Sequence, residues 1–375
     1  MNRALIAQSF EPRLKLLGSS ACDDVRYLQK SLQKLKTAKV FECGDGGTTL
    51  RFLAFRVSRL RGTFLLKASA SLLKRPQLEI RNILNQLGVE VRFQKNGVKI
   101  ISEGWKPSSA SLVVNAEDSS QFVSALCLNA WNLDFDLKIK IKGKIISESY
   151  FTMTKEMLKT LGMKLRVKSE SIVIPQQQKI RQRHFRVESD LSSAFSVAAF
   201  AAMGGTAVFQ QFPENSLQPD KVFINIFKKM KILVIIKQQW RKIEGTLELK
   251  PVIFNLQNAP DLFPVLSVLC AFADGESTLF GAPQLIKKES NRIAKTVELL
   301  TKAGFACRAR NDGITIRGGG SVSTSKAFVF DPAHDHRLAM AAALLKSRGF
   351  KIKIKHPEVV NKSFPEFWKC VGVRP

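Results

Sequence analysis

The stretch ILNQLGVEVRFQKNGVKIISEG, residues 83–104, reads as the end of an amphipathic helix closed by Gly88, followed by two short strands with alternating side chains. The same pattern recurs in MLKTLGMKLRVKSESIVI (157–174), and more weakly in FKKMKILVIIKQQWRKIEG (227–245) and LLTKAGFACRARNDGITIRGGG (299–320). Recurrence at this scale points to a chain assembled from one supersecondary unit. Between these copies lie helices that are apolar nearly all round and start on small or polar residues. They are GGTTLRFLAF from Gly46, DSSQFVSAL from Asp118, DLSSAFSVAAFAAMGG from Asp190, PDLFPVLSVLCAFADG from Pro260 and DHRLAMAAALL from Asp335. A helix without a polar face must be buried among other elements, so the order is strand, buried helix, strand, surface helix, strand, strand. About three such βαβαββ repeats, the first of them shortened, precede the Gln-rich stretch PQQQKIRQRH (175–184), and three follow it. Between Leu35 and Val40 the chain is too short for the hairpin that the other repeats carry.

The expectation is therefore an α/β protein of two similar domains, residues 1–186 and 187–375, with sheets outside and buried helices inside. Several helix N-termini per domain would then face one shared cleft. Each offers free N–H groups and roughly half a positive charge. That arrangement suits an enzyme acting on small, multiply anionic substrates.

The 375 residues exceed one ordinary core, and 45% hydrophobic with 24% charged residues is normal globular usage. A balance of 59 basic against 31 acidic residues gives a net charge of +28, which raises the possibility of nucleic acid or an anionic surface as partner. The charges are spread from Arg13 to Arg374 without a basic tail. Only KIKIKGK (138–144) and KIKIK (351–355) are dense, and both alternate as edge strands with one solvated face do. Neither a nucleic-acid nor a membrane partner is expected. Cys22, Cys43, Cys127, Cys270, Cys307 and Cys370 are far apart with no Cys-x-x-Cys spacing, which argues for a reducing, cytoplasmic compartment. No apolar stretch reaches the length of a membrane span, and MNRALIAQSFEPR is unlike a secretory signal.

Ten motifs stand in one order along nearly the whole chain. They are NRALI (2–6), DDV (23–25), GDGGTTLRFL (44–53), KRP (74–76) and SSQFVSAL (119–126), followed by SESYFTMTKEML (147–158), APDLFPVL (259–266), KKESNRI (287–293), DHRLAMA (335–341) and NKSFPEFW (361–368). In this order they resemble the 5-enolpyruvylshikimate-3-phosphate (EPSP) synthase family. The resemblance implies a two-domain inside-out α/β barrel with the active site in the cleft between the domains. It implies transfer of the enolpyruvyl group of phosphoenolpyruvate to the 5-hydroxyl of shikimate 3-phosphate, with release of phosphate. It also implies no metal or organic cofactor, a cytoplasmic monomer, and glyphosate as an inhibitor. Such a site must hold two phosphates and two carboxylates and move protons at the methylene carbon.

By the same match, shikimate 3-phosphate falls to Arg3, Ser119, Ser120, Gln121, Ser147, Tyr150, Asp261, Gln284 and Lys288. Phosphoenolpyruvate falls to Asp45, Gly47, Arg75, Gln121, Arg292, Arg337 and Lys362. Asp261 and Glu289 match the two carboxylates credited with proton transfer, without a division of roles between them. Taken alone, Ser119 and Asp261 read as ordinary helix caps, and a lone Arg in so basic a chain reads as a solvated surface group. Guanidinium groups are nevertheless suited to a bidentate grip on carboxylate and phosphate.

Other motif readings fail. GDGGTT lacks the Gly-Lys of a nucleotide P-loop, and its glycine spacing misses the dinucleotide fingerprint. HDH (334–336) has no third ligand at helical spacing, which favours a helix cap over a metal site. Two departures from the family stand out. Asp45 occupies a position where the family usually has Asn, and an anion there repels an anionic substrate unless a cation neutralises it. The family pattern Lys-Ser-x-x-Asn-Arg would place a Lys and a Ser before Met1. The alternative expectation is thus a folded homologue that binds anions but is catalytically impaired.

Overall fold

Each hairpin expected from the four repeat copies forms in a computed structural model that describes residues 1–168, 170–237, 240–246, 248–319 and 326–375. The copies' residues 169, 238, 239 and 320 lie outside the described ones. The chain divides into two units, Met1–Val187 and Glu188–Pro375.

The first unit opens with α1 (Asn2–Gln8), β1 (Lys15–Leu17) and α2 (Asp23–Gln33). A full repeat follows: β2 (Val40–Glu42), α3 (Gly47–Val57), β3 (Arg61–Lys67), the short α4 (Ala70–Leu73), α5 (Leu78–Gln86), β4 (Glu90–Gln94) and β5 (Gly97–Glu103). The next repeat is β6 (Leu112–Asn115), α6 (Ser120–Leu128), β7 (Leu137–Lys142), α7 (Glu148–Thr160), β8 (Arg166–Lys168) and β9 (Ser171–Ile174). The unit closes on β10 (His184–Arg186).

In the second unit, α8 (Leu191–Ala202), β11 (Thr206–Gln210), α9 (Phe223–Lys229), β12 (Leu233–Lys237) and β13 (Trp240–Glu244) come first. The repeat β14 (Ile253–Asn255), α10 (Phe263–Ala271), β15 (Gly275–Phe280), α11 (Arg292–Lys302), β16 (Ala306–Arg310) and β17 (Gly313–Gly318) follows. Then come β18 (Phe328–Phe330), α12 (His336–Ser347), β19 (Ile352–Ile354) and α13 (Phe367–Val371).

The βαβαββ order dictates the sheets. In β2-β3-β5-β4, β6-β7-β9-β8 and β14-β15-β17-β16, the first two strands are parallel and the hairpin adds antiparallel. Parallel neighbours need a crossover, which the buried helix supplies. β11-β13-β12 has three strands, and β1-β10 and β18-β19 are parallel pairs.

Burial follows the apolar pattern. All nine residues of α10 are buried, as are ten of α12, Ala339 to Leu345 among them. By contrast α11 buries Ile293, Thr296, Leu299 and Leu300, a single stripe laid on the sheet. The surface helices end where Gly88, Gly162 and Gly304 adopt φ of 72°, 102° and 92°, a conformation that glycine enters without a Cβ penalty. In the weaker copy Lys231 takes that place at φ 64°. Each unit has its own apolar core, running from Ala4 to Ile174 in the first and from Leu191 to Phe367 in the second.

One expectation is corrected. KIKIKGK is not an edge: β7 lies between β6 and β9, with Ile139 and Ile141 buried and Lys138, Lys140 and Lys142 exposed. Alternation reports a solvated face, which interior antiparallel-paired strands also have. Among the described residues β19, within KIKIK, pairs with β18 alone.

Candidate active site

The sequence-predicted residues divide between the two units, and each group has its own architecture.

In the first unit, helix starts supply the groups. Ser119 is the N-cap of α6 and accepts from the Gln121 N–H at 3.2 Å, while Ser120 is buried behind it. Gly47 is the first residue of α3, and a Cβ placed there would stand 3.0 Å from Nη1 of Arg75. The guanidinium therefore lies flat against bare backbone. Gln121 donates through Nε2 to Thr48 Oγ1 at 3.1 Å, which ties the start of α6 to the start of α3. Ser147 caps α7 from the left-handed region, at φ 53°. Nearby, Arg3 donates to Thr154 Oγ1 at 2.7 Å and to the Tyr150 carbonyl at 3.2 Å. Burial lowers the Arg3 pKa to about 10, which leaves it charged at neutral pH. Asp45 accepts from the hydroxyls of Ser71, at 2.8 Å, and Ser69. Hydroxyls of the α4 start, among the described residues, hold this carboxylate where a cation was sought.

Arg51 was missed by the sequence reading and is the hub of this group. It is 3% exposed and lies 4.6 Å over the Phe122 ring. Its guanidinium donates to Gln77 Oε1 (3.1 Å), Ser119 Oγ (3.2 Å), Gln121 Oε1 (2.9 Å) and the Pro76 carbonyl (2.8 Å). One side chain thereby fixes both the α6 start and the Lys74-Arg75-Pro76 turn. An Arg between Leu50 and Phe52, flanked by apolar residues on both sides, was the available signal.

The second unit gathers its predicted residues around Arg292, which is 1% exposed. Its Nη1 donates to Asp261 Oδ1 at 2.7 Å, its Nη2 to Glu289 Oε2 at 3.0 Å, and its Nε to Asp335 Oδ2 at 2.8 Å. Burial works against its charge, but Asp335, Glu289 and Asp261 together overcome this and hold its pKa well above the usual value. Lys362 is bonded to Glu289 Oε1, and Lys288 Nζ stands 3.5 Å from Asp261 Oδ1. For Asp261 burial favours the neutral acid, yet Lys288, Arg292 and Arg337 outweigh it and keep the carboxylate ionised.

Asp335 is the second residue the sequence reading left without a site role. Fully buried, it caps α12 by accepting from the Arg337 N–H at 3.0 Å, as HDH led one to expect. The same carboxylate also orients Arg292. Arg337 is 5% exposed, and its Nε and Nη1 are buried with no hydrogen-bond partner among the described residues. A buried donor left this way costs about 1–3 kcal/mol, which an anionic ligand would recover. Gln284 donates to the Gln257 carbonyl at 3.1 Å.

Chemically, the first unit offers hydroxyls, amides, a helix N-terminus and Arg75, which is a seat for phosphate or carboxylate. The second offers an ionised carboxylate beside a second carboxyl group and four cations, which is a setting for proton transfer between anionic reactants. No group of three or more His, Cys, Asp or Glu side chains placed to hold a metal ion occurs among the described residues.

The sequence model of one family, EPSP synthase (3-phosphoshikimate 1-carboxyvinyltransferase), matches residues 13–371. A 3-phosphoshikimate 1-carboxyvinyltransferase of Dehalococcoides mccartyi is 34% identical over 329 residues, which cover 87% of this chain and 76% of that protein. One from Methanococcus aeolicus is 30% identical over 88% of this chain and 78% of its own length. In fold, the chain is similar to the EPSP synthase of Acinetobacter baumannii, with a TM-score of 0.76 and 21% identity over 99% of this chain and 92% of that one.

Proposed function

Because the chain belongs to the EPSP synthase family, we propose that the residues gathered in its two units are the working parts of that family's reaction. The chain transfers the enolpyruvyl group of phosphoenolpyruvate to the 5-hydroxyl of shikimate 3-phosphate and releases phosphate, a step of the shikimate pathway of aromatic biosynthesis. Its matched relatives bear the transferase name, which favours an active enzyme over a homologue that only binds anions.

In this reading the Ser119 cap, Ser120, Gln121, Ser147, Tyr150 and Arg3 hold shikimate 3-phosphate, joined by Gln284, Lys288 and Asp261. Arg75 against Gly47, with Asp45 and Gln121, and the cations Arg292, Arg337 and Lys362 hold phosphoenolpyruvate. Asp261, which its neighbours keep ionised, is one of the two proton-transfer carboxyl groups. Glu289 handles the proton at the methylene carbon, positioned by Arg292 and Lys362. The observation that carries this assignment is the convergence of Asp261, Glu289 and Asp335, drawn from three motifs, onto the buried guanidinium of Arg292, with Lys362 bonded to Glu289.

Phosphate release with both substrates tests the assignment. Asp261→Asn should lose about 10²–10⁴-fold in kcat while still binding shikimate 3-phosphate by calorimetry. Turnover like that of the unaltered chain would remove Asp261 from the proton path.

The partners in this reading are the two small substrates, without nucleic acid, membrane or cofactor, and the enzyme is a cytoplasmic monomer sensitive to glyphosate. Basic side chains on a solvated strand face such as that of β7 support this, rather than a basic tail. Among the described residues no helix is long and apolar enough to cross a membrane.

A further inference from the structure

In four of the repeats an amphipathic helix runs directly into a hairpin: α5 into β4–β5, α7 into β8–β9, α9 into β12–β13, α11 into β16–β17. After α2 only residues 34–39 intervene before β2, so the β1-β10 sheet has no hairpin beside it. This short connection, with α1, the end of α2, the end of α3 and β3, lines a cleft of about 790 Å³ formed wholly by the first unit. That volume is within the range of small-molecule sites, roughly 300–1,000 Å³.

The lining has two characters. Leu5, Leu32, Leu35, Leu60 and Phe64 make an apolar wall from α1, α2 and the connection after it, the α3–β3 turn and β3. Lys36, Lys39, Arg56 and Arg61 are its charged members, of which Arg61 is ion-paired with Glu103, and no carboxylate lines it among the described residues.

Arg56 is the deepest of the four, 7% exposed at the end of α3. It donates to Ser9 Oγ at 2.7 Å and to the Ser9 carbonyl at 3.1 Å, both neutral acceptors, and its guanidinium lies 4.2 Å over the Phe10 ring. Its charged neighbour is a second cation, Arg59, which lies over the same ring at 5.6 Å. Burial first, and Arg59 second, lower the Arg56 pKa to about 10. A buried charge is ordinarily paired. Among the described residues no carboxylate pairs with Arg56, and its charge borders a cleft with an apolar wall and a cationic rim, on which Lys39 Nζ sits 4.9 Å over Phe64.

We propose that this cleft is a binding site for a small carboxylate with an apolar body, its anion on Arg56 and its body against Leu32, Leu60 and Phe64. None of these residues belongs to the substrate groups, so the site lies apart from the transfer reaction. The apolar wall separates this ligand class from inorganic phosphate and from the highly polar substrates.

The test is calorimetric titration of the full chain with 2-naphthoate, and with 2-naphthalenemethanol as its neutral counterpart. The carboxylate should bind with a Kd below about 1 mM, and the alcohol about tenfold or more weaker, since a bond to a charged group is lost. Arg56→Gln should weaken the carboxylate about tenfold and leave the alcohol unchanged. If that variant does not fold, Lys36→Glu/Lys39→Glu, which alters exposed rim side chains, should weaken it at least about threefold. Saturating shikimate 3-phosphate should leave the affinity unaltered. Equal binding of acid and alcohol, full affinity in the folded variants, competition by shikimate 3-phosphate, or no binding would each overturn the proposal.

Discussion

Replacing Asp335 by Asn keeps the shape of a fully buried side chain while removing its charge and one acceptor oxygen. Asp335 Oδ2 accepts from Arg292 Nε at 2.8 Å and Ser290 Oγ at 3.2 Å, and Oδ1 from Arg337 N at 3.0 Å and Arg292 Nη2 at 3.3 Å. An amide can satisfy only one side of this arrangement. Whichever way it is turned, its NH₂ confronts an Arg292 N–H, donor against donor. Breaking a buried pair by altering one partner costs about 3–5 kcal/mol. Asp261 and Glu289 still neutralise Arg292, so the lower end, about 3 kcal/mol, applies. For a unit of this size that corresponds to a loss of about 6–12 °C in Tm. Scanning calorimetry should show the fall in the transition of the second unit alone. The enzyme that remains folded should also show a raised KM for phosphoenolpyruvate, because Arg292 loses the carboxylate that sets its plane. A Tm within about 2 °C of the unaltered protein would refute the reasoning, for it would mean that Asp335 contributes no more than an exposed cap.

Gly47→Ala places a methyl 3.0 Å from Arg75 Nη1, so the guanidinium must yield by a few tenths of an ångström. The KM for phosphoenolpyruvate should rise severalfold and glyphosate inhibition should weaken more, read from steady-state kinetics with both ligands, and equal losses would count against the contact. Arg51→Met removes the link among Gln77, Ser119 and Gln121. Its kcat/KM for shikimate 3-phosphate should fall about 10²-fold, the scale of misplacing a substrate by an ångström; unchanged kinetics in a folded variant would dismiss the hub. His336, 5% exposed, is held well below its ordinary pKa of 6.5, first by burial and then by Arg337 and Lys362. It is therefore neutral when folded, whereas the unfolded chain takes up a proton below 6.5. Its contribution is complete above that value and is lost as pH falls beneath it, by up to about 1.4 kcal/mol per pH unit. Urea midpoints between about pH 7.5 and pH 5.5 should fall less steeply in His336→Gln, and parallel slopes would exclude the assignment.

The fold was legible because its signals are local. A Leu-Gly closing a stripe of Ile83, Leu84 and Leu87 states where a helix stops, and the alternation in 90–103 states that a hairpin follows. Cores built from such units follow from the order of the pieces. The lysines of β7 misled because alternation reveals a wet face and carries no information about what lies on either side in the sheet. The site was legible as a set of motifs, while its internal wiring was not. That Asp335 caps α12 is written in HDH, but that its other oxygen meets Arg292, 43 positions earlier, is a matter of tertiary approach. Likewise Arg51 joins residues as far away as Gln121, and nothing in LRFL distinguishes it from a surface arginine except the apolar residues around it.

The parallel pairing of β1 with β10, Lys15 against His184 and Leu17 against Arg186, joins the first strand of the unit to its last. In an open array of repeats each copy can dock on its neighbour in turn, and the ends may fray independently. Here the final strand has no place until everything between has been assembled, and the opening strand has no hairpin to hold it meanwhile. The closing of this ring must therefore come late, with the entropy of a very long loop already spent on other contacts. The first unit thus has its two ends tied to each other, a constraint that an open array of repeats lacks.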